Sequence, residues 1–233
     1  MFLSENQSSG MINTMTNETR HQHAYPDYPR SEKIADGAVH AIGVTFAFSG
    51  AVLLIVFASL WASGGEVAAV SIYGVALVAT FAASAFYHMT PWEGIRPALR
   101  RVDHAAIYLK IAGTYTPLVV LIGSTFAYVI LGLVWALAIL GALAKLFFWN
   151  TPGKFGPLLY LTLGWLSVAL LWPLAQSVPG PAVALVLAGG LLYSAGVVFF
   201  SMEWMRFSNA IWHFFVLAAS GCFYAAITVG TFA

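Results

Sequence analysis

The stretch Tyr128–Phe148, YVILGLVWALAILGALAKLFF, decides the fold. Its single charge is Lys145, close to its C-terminal end. A helix rising 1.5 Å per residue needs about 20 apolar residues to cross the hydrocarbon core of a bilayer. Comparable runs lie on both sides, at Val39–Leu60, Val67–Tyr87, His104–Gly123, Leu158–Trp172, Pro181–Phe200 and Ala210–Gly230. The fifth run is short for a span and is expected to continue to about Ser177. None shows the ten-residue alternation of a barrel strand. Lipid offers backbone groups no partners, so these runs are helices, and the predicted fold is all-α, a seven-transmembrane helix bundle.

Composition agrees. The chain has 233 residues, 60% hydrophobic and only 8% charged, whereas a soluble domain carries about 25% charged residues. One cysteine, Cys222, excludes an intrachain disulfide framework and a zinc–thiolate cluster. No nucleotide loop and no nucleic-acid surface is present, so lipid is the expected partner, and the sequence fixes no oligomeric state. Residues 1–31 read as a disordered polar tail without a basic leader, with His21 and His23 as stray histidines. Residues 32–233 form the membrane domain. Tyr28–Gly37, with Glu32, Lys33 and Asp36, reads as a wet linker rather than an amphipathic interfacial helix.

Charge gives direction. Ala62–Glu66, Ser124–Ala127 and Val178–Gly180 carry no Lys or Arg. The alternate connections carry Arg96, Arg100 and Arg101, then Lys145 and Lys154, then Arg206, and Arg20, Arg30 and Lys33 precede the first span. The positive-inside rule places the N-terminus in the cytoplasm and the C-terminus outside. Trp61, Trp92, Trp149, Trp172, Trp204 and Trp212 fall near span ends and form an aromatic belt. Gly141, Gly164, Gly189–Gly190 and Gly196 are expected to permit close helix contact.

Ionisable residues inside such a bundle face its interior and mark function. His40, His88, His104 and His213 fall in the basic half of the membrane domain, with Asp103 beside His104. Ser84 and His88 are four apart on one helix face, as are Asn209 and His213. His88, Asp103 and His213 come from three helices. Histidine nitrogen and carboxylate oxygen suit zinc, and a catalytic site has three protein ligands and an open position. Two readings follow from spacing: a metal site, or a hydrogen-bonded polar layer tying helix ends together.

The motifs Ser84-Ala85-Phe86-Tyr87-His88, Arg101-Val102-Asp103-His104-Ala105-Ala106-Ile107-Tyr108 and Ile111-Ala112-Gly113-Thr114-Tyr115-Thr116-Pro117 closely resemble the hemolysin III family. Ile34-Ala35-Asp36-Gly37-Ala38-Val39-His40-Ala41-Ile42-Gly43 and Ile211-Trp212-His213-Phe214-Phe215-Val216 resemble its first and last helix motifs. The likeness runs from about Glu32 to Phe232. The wider group includes the adiponectin and progestin receptors, with a more distant likeness to alkaline ceramidases. The resemblance implies a seven-helix protein of the bacterial inner membrane holding zinc on its cytoplasmic side. Its metal-site residues fall on His88, Ser84, Asp103 and His213. Two positions depart from the pattern: Asn209 stands where relatives have a ligand histidine, and Phe223 where a further histidine commonly follows. Asp103 is expected to fill the ligand vacancy, with His40 or His104 assisting.

The expected metal set is thus His88, His213, Asp103 and Asn209. Asp103 would act as base and Ser84 as oxyanion donor in zinc-dependent hydrolysis of a lipid amide or ester. The alternatives are a receptor-like or membrane-homeostasis protein with a structural metal, and the cytolytic pore of the family name. No helix carries a continuous polar stripe able to line a pore. Lys110, seven residues after Asp103, is expected to pair with that carboxylate. Pro117 is expected to kink its helix.

Overall fold

The structure is a computed structural model that describes residues 28–148, 155–202 and 204–233. The histidines of the tail, Trp149 and the turn at Asn150–Lys154 lie outside the described residues. Among the described residues eight helical segments follow in order: α1 (Arg30–Trp61), α2 (Gly64–Met89), α3 (Arg96–Ile122), α4 (Thr125–Phe147), α5 (Phe155–Trp165), α6 (Val168–Ser177), α7 (Gly180–Phe200) and α8 (Ser208–Thr231). Seven spans are long and apolar enough to cross a membrane, with α5 and α6 together supplying the fifth, Leu159–Ser177. The chain is an integral, all-α membrane protein.

Two local features separate these elements from the sequence expectation. The linker expected at Tyr28–Gly37 is instead the opening of α1, which begins at Arg30 and buries both Glu32 and Asp36. At 32 residues α1 is about 48 Å long, well beyond the hydrocarbon core, so its polar first turns extend a membrane span instead of preceding one. The fifth span reaches Ser177 as expected, yet breaks at Leu166–Ser167. Tyr115 of α3 donates its hydroxyl to the carbonyls of Leu163 and Gly164 at 3.0 and 2.9 Å. The Leu163 carbonyl would otherwise accept from Ser167, whose N–H turns instead to Gly164 at 3.2 Å, and a side chain inserted into the ladder breaks a helix. Pro117 lies buried within α3.

α3 is the central post. Of its most apolar stretch 61% is buried, against 17–39% for the other spans. One side meets a core built with α1, α2, α6, α7 and α8, including Leu54, Leu77, Leu118, Val186 and Ile227. The other side meets a core with α4, α5 and α6, including Ala112, Val119, Val134 and Leu170. Lipid is as apolar as these side chains, so close fit rather than water exclusion holds the helices together. Gly141 shows the requirement: a Cβ there would lie 2.5 Å from the ring of Tyr108. Gly164 and Gly190, expected to serve similarly, have nothing within 4 Å of such a Cβ. At the outer surface Ile42, Phe48, Val129, Leu140, Leu191 and Val198 are exposed, the surface a bilayer covers. Trp61, Trp92 and Trp204 are exposed near helix ends and Trp172 is exposed midway along α6, whereas Trp212 packs on Phe200.

Candidate metal centre

The residue that organises the polar layer is Asp36, two turns into α1. Its carboxylate is buried, and each oxygen has a donor from α8: Oδ1 accepts from His213 Nδ1 at 2.7 Å, and Oδ2 from Asn209 Nδ2 at 2.8 Å. Its main-chain carbonyl accepts from His40 Nδ1 at 2.8 Å, one turn on. Charge-assisted bonds of this length are the stronger kind. The turn into α8 is made by Phe207 at φ 61°, a left-handed conformation that is costly for a bulky residue.

These bonds assign the tautomers. With Nδ1 of His40 and of His213 donating, the Nε2 of each neutral ring carries a lone pair. Both Nε2 atoms converge on Ser84 Oγ, at 3.2 Å from His40 and 3.5 Å from His213. Asp103 reaches the same hydroxyl from α3 and lies within electrostatic range of His213. One hydroxyl has one proton, and here it faces two ring nitrogens and a carboxylate. That excess of acceptors in a buried place favours a cation.

His88 completes the cluster from α2. Its ring lies with centroids 4.5 Å from His213 and 5.2 Å from His40, and the latter two are 4.2 Å apart. One ligand nitrogen from each of His40, His88 and His213 falls within 4.8 Å of the others. Tetrahedral zinc, with bonds of about 2.1 Å, places nitrogens about 3.4 Å apart, so modest ring movement suffices. Three imidazoles, two of them with Nδ1–H held by an outer acceptor, are a donor set zinc takes. The cluster is able to coordinate a metal ion.

The structure brings together most residues singled out from the sequence, with a different division of labour. His88 and His213 are in the three-nitrogen cluster. His40 stands beside them, where the sequence reading had placed Asp103. Asp103 is buried one step away, with Oδ2 3.5 Å from His104 Nδ1. His104 points Nδ1 at the carbonyl of Arg100, 2.8 Å away, and is not among the three. Asn209 presents its amide nitrogen to His88 Nδ1 at 3.2 Å as well as to Asp36. The carboxylate fixes that orientation, since the amide oxygen would repel it.

The Lys110–Asp103 pair expected from sequence does not form. Lys110 Nζ instead donates to Tyr193 and Ser220. Both side chains lie on one face of α3, as their seven-residue spacing requires, but two turns apart, and nearer hydroxyls win. Phe223, where the resemblance implies a histidine, packs against Gly189 of α7. The residue missed was Asp36. Its signal was present: Asp36 and His40 are an i,i+4 pair, as are Ser84–His88 and Asn209–His213.

Residues 30–224 match the family described as "Haemolysin-III related". A Bacillus cereus protein named Hemolysin-3 is 36% identical over 197 residues, covering 84% of this chain and 90% of the relative. A Bacillus subtilis (strain 168) protein named Hemolysin-3 homolog is 35% identical over 199 residues, covering 84% and 92%. The human protein named Monocyte to macrophage differentiation factor is 33% identical over 167 residues, 67% of each chain.

Proposed function

The chain belongs to the haemolysin III family, and from that membership and its histidine cluster we propose a zinc-dependent hydrolase acting on an amide or ester of a membrane lipid. The observation that carries the proposal is the pair of Nε2 lone pairs, on His40 and His213, aimed at a single hydroxyl and joined by His88. These three rings would hold the ion. Asp36 fixes two of them directly and reaches the third through Asn209. Asn209 donates to His88 Nδ1, which leaves the proton of a neutral His88 on Nε2, so His88 joins the ion only by releasing that contact. When bound, zinc supplies Lewis acidity toward a carbonyl oxygen or a water molecule.

The protein's own groups divide the rest of the reaction. Asp103 is the base: its carboxylate accepts the proton of the attacking water and later returns it to the leaving nitrogen or oxygen. Ser84 donates its hydroxyl to the oxygen that gains charge. Burial of Asp36, His40, Asp103 and His213 keeps bulk water from competing for these bonds. We further propose that the layer opens toward the cytoplasm, as the basic connections imply. A reporter fused to the C-terminus is then active only outside the cytoplasm, and cytoplasmic activity overturns that orientation.

A structural role is the second reading, favoured by the bonds Asp36 makes across α1 and α8. The deciding experiment measures turnover of lipid amides and esters by the purified protein, with metal content and melting temperature for wild type, Asp103→Asn and His88→Ala. The hydrolase reading expects turnover in the wild type, its loss in Asp103→Asn with metal and melting temperature retained, and loss of both metal and turnover in His88→Ala. A metal-loaded wild type without turnover on either class supports the structural reading. The cytolytic reading has less support, because Leu54, Leu77, Val119 and Ile227 fill the interior with packed apolar side chains.

A further inference from the structure

Two helical turns below the histidines lies a second buried polar group that the hydrolase reading does not use. Lys110, Ser220 and Phe81 stand seven residues from Asp103, His213 and His88 respectively. Seven residues are close to two turns, so these side chains share the same faces about 10 Å deeper. Lys110 is buried, and its Nζ donates to Tyr193 Oη at 2.5 Å and to Ser220 Oγ at 2.6 Å. The same ammonium lies 5.0 and 5.1 Å from the ring centres of Phe81 and Tyr193.

The protons can be assigned one by one. Ser220 donates its hydroxyl proton to the carbonyl of Val216. Tyr193 therefore donates to Ser220, 3.0 Å away. Lys110 spends two of its three N–H groups on these oxygens and keeps the third. Among the described residues no carboxylate pairs with it, so its charge is solvated only by neutral oxygens and aromatic faces. The group thus holds a surplus of donors and one uncompensated positive charge, the reverse of the histidine layer. An anion with accepting oxygens would complete it.

The walls indicate what carries that anion. Phe81, Tyr193 and Phe223 are aromatic, the last two with rings 6.0 Å apart. Tyr193 is half-buried on α7, between the lipid-exposed Leu191 and Val198. An ion from water would have to pass apolar side chains, whereas a lipid reaches α7 sideways. We propose that Lys110, Tyr193 and Ser220 form a binding site for the carboxylate of a single-chain amphiphile that enters from the bilayer.

The test uses the purified full chain in nonionic detergent, with hexadecanoate and hexadecanol as probes and acetate as competitor. The wild type is expected to bind hexadecanoate at least about tenfold more tightly than the alcohol, with no displacement by acetate. Lys110→Met is expected to lose about tenfold or more in hexadecanoate affinity, and Lys110→Arg to keep most of it. Tyr193 and Ser220 retain each other as partners in Lys110→Met, which favours folding of the variant. Should it fail to fold, the acid–alcohol comparison on the wild type and the loss in Tyr193→Phe decide. His213→Ala is expected to bind hexadecanoate like the wild type, which separates this site from the metal centre. Equal binding of acid and alcohol, or full affinity in a folded Lys110→Met, overturns the proposal. Displacement by acetate at comparable affinity would reassign the site to a small anion from water.

Discussion

Two polar layers share the same three helices, and they are built with opposite surpluses. In the histidine layer, Asp36 collects donors from α8, leaving ring lone pairs to converge on Ser84. In the lysine layer, one ammonium collects two hydroxyl oxygens, and its third N–H is left over. The first is able to hold a cation, and the second, on our proposal, an anion. Hydropathy treats the two as equivalent interruptions of an apolar run. What separates them is which groups have protons to give, and that follows from partners contributed by other helices.

The largest expected effect falls on the histidine layer alone. His88→Ala or His213→Ala should weaken zinc retention by more than about 100-fold, beyond the roughly 10- to 100-fold effect of losing an outer partner. Metal analysis after graded chelation measures this, and unchanged retention would show that these rings hold no ion. Asp36→Asn comes next. A carboxamide has one acceptor oxygen for two donors, so we expect a loss of about 10- to 100-fold in zinc affinity. Asp36→Ala strands a buried ring N–H and an amide, and should also lower stability by about 3 kcal/mol. Denaturant unfolding in detergent gives that figure, and a wild-type midpoint would show that the bonds across α1 and α8 matter little.

Gly141→Leu tests whether the layers depend on the surrounding packing. The new side chain meets the Tyr108 ring on the far side of α3, for a cost of about 1–3 kcal/mol. Metal affinity should stay at the wild-type value in the folded fraction, whereas a parallel fall would mean that the centre is set by the whole bundle. Lys110→Met should show the smallest change in stability, within about 1 kcal/mol of wild type, since replacing a buried charge by an apolar side chain is often neutral. A large loss would mark the lysine layer as a structural tie.

Much of this protein is legible in its sequence because the bilayer imposes a simple rule. Each helix satisfies its own backbone, so length and hydropathy locate the spans without knowledge of their neighbours. The same locality made Ser84, His88, Asp103 and His213 identifiable as inward-facing groups. The misreadings arise where a partner comes from elsewhere in the chain. Asp36 and Glu32 look solvent-bound in sequence, and become interior only because α8 packs beside α1. Unbroken hydropathy hides the interruption at Leu166–Ser167, which a tyrosine of α3 makes.

By itself, then, the sequence determined the seven apolar helices and the small set of ionisable residues they carry inward. Tertiary structure alone decided that His40 joins His88 and His213, that Asn209 turns its nitrogen to Asp36, and that Lys110 bonds two hydroxyls rather than Asp103. The physical reason is range. Burial and backbone hydrogen bonding in a membrane helix depend on nearby residues, while the pairing of side-chain donors with acceptors depends on distances between helices.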